Sequence, residues 1–152
     1  MQAILSSYDR AAAWVSAAAI QSLALLLTRV TLAGIFWRSA LTKVEDGRWL
    51  TISETTYFLF AEEYAGVPLP SDFAAVLATM SEHIFPILLV LGLFTRLSAL
   101  ALLGMTLVIQ IFLYPQAWWS VHALWAALAV ILMTRGGGQL ALDAALMKAR
   151  GK

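Results

Sequence analysis

At 152 residues, 61% hydrophobic and only 12% charged, with a mean hydropathy of +0.81, the chain is far from the roughly 25% charged composition of a soluble domain. It reads as one integral membrane domain, residues 1–152, and its net charge of +1 offers no basic patch for nucleic acid. With no cysteine, disulfides, thiolate metal sites, iron–sulfur clusters and thiol relay chemistry are excluded.

Asp9 and Arg10 are the only charges before a first apolar run that outlasts a signal-peptide core, so this run is expected to stay attached as a span. Ala11 to Ala19, AAAWVSAAA, suits an interfacial lead-in with Trp14 at the headgroup level. A span needs about 20 mostly apolar residues at ~1.5 Å rise each. Four are predicted, at about 21–41, 73–94, 97–113 and 118–134. The fold class is therefore all-α, an integral membrane four-helix bundle with a short interfacial helix in its first outer loop.

The first span carries Arg29 and ends in Trp37 and Arg38, an interface anchor. Residues 42–70 form the longest polar segment, in which Ser53 is placed to cap a short helix to about Tyr64. That helix would lay Tyr57, Phe58, Phe60 and Tyr64 on the bilayer or the bundle, and Gly66, Pro68 and Pro70 would break it. The second span holds Glu82, His83 and Pro86; proline has no amide hydrogen, so the Glu82 carbonyl loses its helical partner. Gln110 lies late in the third span and His122 early in the fourth, which Arg135 and Gly136-Gly137-Gly138 stop. The tail from Gln139 to Lys152 is amphipathic.

Four spans place Arg10, Arg96, Arg135, Lys148, Arg150 and Lys152 on one side, and Arg38, Lys43 and Arg48 among six acids on the other. The positive-inside rule then puts both termini in the cytoplasm. Counting inward from Arg38 and from Phe73, Arg29 and Glu82 each lie nine residues below the outer interface, about 13 Å deep. An Arg29–Glu82 ion pair is the expectation, since either charge alone is costly in hydrocarbon. Together with His83, Gln110, His122 and Arg38, the pair would form a buried polar pocket toward the outer face. A purely structural role for the pair stays open, as do packing or interfacial roles for both histidines and an interhelical hydrogen bond for Gln110. No spacing suggests a metal site, and two histidines without CxxCH give no haem signature.

These residues resemble the DoxX-like four-helix membrane proteins over about Leu27 to Ala144: an Arg in the first span followed by GIFWRSALTK, then FAEEYAGVPLP, MSEHIFPILLVLGLFTR and GGGQLALD. EEYAGVPLP, ATMSEHIFP and IFLYPQAW look most like members encoded beside multinuclear iron peptide-modifying enzymes, in clusters that make copper-binding peptides. The resemblance implies a bacterial inner-membrane protein with Arg29, Glu82 and Arg38 at family polar positions. It suggests an accessory or quinone-linked subunit of a redox or copper-handling system, a non-catalytic partner of an oxidoreductase, with quinone as the conceivable cofactor and the bilayer and a soluble or membrane redox or peptide-modifying protein as partners. An oligomer fits too. The alternatives are a small transporter or export accessory for a metal ion or peptide, or a membrane scaffold.

Overall fold

The structure, a computed structural model, describes residues 9 and 12–151; Arg10, Ala11 and Lys152 of the expectations above lie outside them. Helix α1 (Ala18–Leu41) is followed by a hairpin of β1 (Val44–Glu45) and β2 (Arg48–Ile52), then by α2 (Glu54–Glu62), α3 (Ser71–Leu91), α4 (Thr95–Val108), α5 (Ala123–Arg135) and α6 (Leu142–Arg150). Four helical stretches, Ala18–Leu41, Ser71–Leu91, Thr95–Leu113 and Pro115–Arg135, are long and apolar enough to cross a membrane. The chain is a multi-pass membrane protein. Residues 12–15 are also helical, but a break at 16–17 separates them from α1, and Trp14 is exposed.

In the bundle α1 packs on α3, α3 on α4, α4 on α5 and α5 on α1. The ring closes over Leu32, Phe36, Leu89, Leu102 and Leu132. Ala33, Ala99 and Ala129, buried among them, bring the helices close, as small residues do where lipid supplies no hydrophobic drive between helices. Large apolar side chains such as Leu27, Leu100 and Leu124 point outward, where lipid tails solvate them.

Antiparallel α1 and α3 are staggered. Trp37 meets His83 edge-on at 5.4 Å between ring centroids, so Leu41, four residues on, falls near residue 79. Helix α3 begins at Ser71, and its first eight residues rise about 12 Å beyond the end of α1. The segment after α1 packs against this projection. Asp46-Gly47 turns the hairpin, with Glu45 opposite Arg48 and Gly47 at φ 75°, a left-handed conformation that glycine adopts without steric cost. Ser53 caps α2 by accepting the Thr56 N–H at 3.3 Å. The Thr56 hydroxyl donates to the Lys43 carbonyl at 2.9 Å, and Phe60, with Tyr64 stacked on it at 4.0 Å, packs on Ala74 and Ala75 of α3.

At the other end of the bundle the α3–α4 turn is fastened to the tail. Gly92 ends α3 at φ 70°, and a Cβ there would strike the Arg29 guanidinium and Ala141. Asp143 Oδ1 and Oδ2 accept the N–H groups of Phe94 and Thr95 at 2.8 and 2.9 Å, capping the start of α4, and the Asp143 N–H donates to the Gly92 carbonyl at 2.9 Å. The start of α1 and helix α6 lie at this end, hereafter the terminal end; the hairpin and α2 mark the loop end.

Candidate functional site

Lys43, just past α1, sends its ammonium down the stagger to Glu82 of α3, with Nζ 2.7 Å from Oε2. Its long stem makes that reach possible, as lysine stems run along apolar surface while the charge finds a polar level. Ser39 Oγ accepts from the same Nζ at 2.9 Å. Lys43 is 8% exposed and Glu82 2%. The pair is buried, and its geometry satisfies both charges.

The expected Arg29–Glu82 pair is not formed. Arg29 lies eight residues from Trp37 on the side away from Lys43, which puts it opposite residue 91 and not Glu82. It donates from Nη1 to the carbonyls of Leu89 and Val90 at 3.2 and 3.4 Å, and from Nη2 to Leu140 at 3.1 Å. The depth count failed because it set the outer ends of the two helices level. Lys43 was the partner to find; it stands in the quoted ALTK run, and a lysine within two residues of a span end above a buried acid was the available signal.

Other expected pocket residues disperse. His83 turns Nδ1 to the Thr79 carbonyl at 2.8 Å, one turn back, and packs on Trp37. Arg38 is exposed on the bundle surface and joins no buried set. Gln110 and His122 do meet, with Gln110 Oε1 2.7 Å from His122 Nδ1, and Gln110 Nε2 donates to the Pro115 carbonyl at 2.7 Å. Both sit in widened π-helical turns, Ile109–Leu113 and Trp118–His122, around the Pro115–Ala117 turn. Their bonds close that turn. They do not reach the Glu82 set.

Beside the Lys43–Glu82 pair a cavity of about 390 Å³ opens between α3 and α4, roofed by Phe60, Tyr64 and Leu69 from the loop segment. Glu82, Ser81 and Tyr64 are the polar residues of a lining that is otherwise apolar. Glu82 is almost wholly buried where it borders the cavity. Leu77 and Val108 form part of the rim and are exposed on the outer bundle surface, so a molecule dissolved in lipid has a side entrance. Burial, with the Glu82 charge next in weight, pushes the Tyr64 phenol up to about 12. It stays a neutral hydrogen-bond donor at ordinary pH. Above the roof, the Tyr114 hydroxyl donates to Glu63 Oε2 at 3.1 Å, and that bond raises its own ionisation. Among the described residues no group of three or more acidic or histidine side chains could hold a metal ion.

The family model for DoxX matches residues 24–115, the stretch that runs from before Arg29 through Lys43, Glu82 and Gln110. The chain belongs to the DoxX family. An uncharacterized protein of Haemophilus influenzae is 33% identical over 144 residues, covering 82% of this chain and 83% of that protein. No solved structure matches. Within this DoxX chain the quoted motifs divide by role: GLFTR and GGGQLALD meet in the Asp143 fastening, whereas ALTK and MSEH supply the pair beside the cavity.

Proposed function

We propose that this DoxX protein is a membrane subunit that binds a small lipid-soluble molecule, of which a quinone is the best fit, in the cleft between α3 and α4, and serves as a non-catalytic or quinone-linked partner in a bacterial redox or metal-handling system. The observation that carries this reading is the 390 Å³ apolar cavity with Glu82 at its edge and a lipid-facing rim. Its size lies in the range of ligand pockets, which are mostly apolar with a few polar groups that fix orientation. A quinone head is a flat apolar ring with carbonyl acceptors, and Tyr64 and Ser81 carry hydroxyl donors on this wall. The Lys43–Glu82 pair holds the charged level in place beneath it.

The copper-binding peptide systems suggested by EEYAGVPLP and ATMSEHIFP are one setting for such a subunit. For location we propose the bacterial inner membrane with both termini in the cytoplasm, supported by Arg96, Arg135, Lys148 and Arg150 gathering at the terminal end. Because the chain has no cysteine, single cysteines at Asp46 and Gly151 can be labelled in whole spheroplasts with an impermeant maleimide; labelling at Gly151 and not at Asp46 would reverse the orientation.

The binding test uses full-length protein in mild detergent, with solvent extraction and mass spectrometry for a travelling quinone and titration with decylubiquinone. Wild type should carry or take up quinone, and Glu82→Gln, with the fold intact, should weaken uptake at least tenfold, about 1.4 kcal/mol. A folded wild type that neither carries quinone nor binds decylubiquinone sinks the reading and leaves the scaffold role.

A further inference from the structure

At the terminal end, remote from Glu82, a second cavity of about 660 Å³ lies between the start of α1, the α3–α4 turn and α6. Three arginines line it, Arg96, Arg135 and Arg150, against one carboxylate, Asp143. That carboxylate is already engaged, both oxygens accepting the N–H groups of Phe94 and Thr95. Arg96 gives Nη1 to the Met133 carbonyl at 2.7 Å and keeps Nε and Nη2 beside Gly136, 3.6 and 3.7 Å from where a Cβ would stand. Among the described residues neither Arg135 nor Arg150 enters an ion pair or a side-chain hydrogen bond.

Three guanidinium groups border one cavity whose single carboxylate is already engaged, and an anion bound there would give them a shared counter-charge. The guanidinium fork matches the oxygens of a phosphate group, which it can hold with paired hydrogen bonds. Much of the remaining wall is apolar: Phe94 and Met147, both mostly exposed, stand at the rim, and Leu25 lies on α1. A basic recess with apolar flanks at the end of a membrane bundle is the form in which headgroup sites occur. We propose that this cavity binds a phosphate-bearing anion, either the headgroup of an anionic phospholipid or free phosphate, through Arg96, Arg135 and Arg150.

The test takes the full chain in neutral detergent and titrates it with short-chain phosphatidylglycerol, short-chain phosphatidylcholine and inorganic phosphate. Phosphatidylglycerol should bind saturably, phosphatidylcholine should not, and Arg135→Gln with Arg150→Gln should weaken phosphatidylglycerol roughly thirtyfold. The matching pair of Arg→Lys changes should retain most of the affinity. Inorganic phosphate that displaces the lipid assigns the site to free phosphate; phosphate that leaves the lipid in place assigns it to the headgroup. Equal binding of the two lipids, or full binding by the glutamine variant, overturns the proposal. If the glutamine variant fails to fold, the wild type decides, since its affinity for phosphatidylglycerol must fall between ~50 and ~300 mM salt, and an affinity indifferent to salt also overturns it.

Discussion

At the terminal end Arg29, 0% exposed, spreads its guanidinium over the carbonyls of Leu89, Val90 and Leu140, whereas at the loop end Glu82 meets one lysine at 2.7 Å and borders a cavity. Both are charges buried in membrane spans, where each is costly and calls for a partner. Their surroundings differ. Arg29 ties α1 to the end of α3 and to the loop before α6 through backbone acceptors that no ligand can replace. Glu82 is held by a side chain on a flexible stem, next to space. A buried charge in a span therefore marks a candidate site only where accessible volume adjoins it, and by that measure Glu82 qualifies and Arg29 does not.

The largest expected effect tests the structural half of this contrast. Arg29→Met removes three hydrogen bonds from a charged donor, each worth about 1.5–3 kcal/mol, and should cost about 5 kcal/mol in thermal or denaturant unfolding. Lysine should not rescue it, because one ammonium cannot fork to carbonyls on two segments. A stable Arg29→Met protein that has lost only ligand binding would invert the comparison.

At the loop end the expectation is a separation of stability from function. Lys43→Met leaves Glu82 buried without its cation and should cost about 3–5 kcal/mol. Adding Glu82→Leu should return most of that stability, since a buried pair replaced by apolar groups of similar size is often neutral or better. The double variant, folded, should fail to take up decylubiquinone. Retained uptake would remove Glu82 from the cleft's function.

Next in size is Asp143→Ala, which leaves the N–H groups of Phe94 and Thr95 uncapped and should cost about 1–2 kcal/mol. Asparagine should restore part of the loss through its single acceptor. Quinone uptake should not change, because the Asp143 fastening lies at the opposite end from the cleft.

The spans were legible because long apolar runs in a chain with 12% charge leave few other folds, and the Ser53 cap was legible because its side chain acts within three residues. Partner assignment between helices was not. Whether Arg29 or Lys43 reaches Glu82 depends on the eight-residue projection of α3 past Leu41, which follows from packing such as Trp37 on His83 and leaves no local trace. The β1–β2 hairpin carried a readable signal in Asp46-Gly47, which the reading of residues 42–70 as a polar segment with one helix after Ser53 passed over. The π-helical turns that join Gln110 to His122 carried none, since they arise from how the chain closes around Pro115.

The smallest effect concerns how dry the cleft's roof is. Burial and the nearby Glu82 charge push the Tyr64 phenol up to about 12, against 10.0 for an ordinary tyrosine. A group whose folded ionisation is raised adds stability that is complete below its unfolded value and disappears as pH climbs through the folded one. Wild type should therefore lose stability between pH 10 and about 12, and Tyr64→Phe should flatten that decline while leaving neutral-pH stability nearly unchanged. Phenolate absorbance offers the direct reading: of the four tyrosines, the one lost in Tyr64→Phe should be among the last to ionise. If it ionises near pH 10 with free tyrosine, water reaches the roof, Glu82 is solvated from above, and the distinction between a dry ligand cleft and a wet polar surface falls with it.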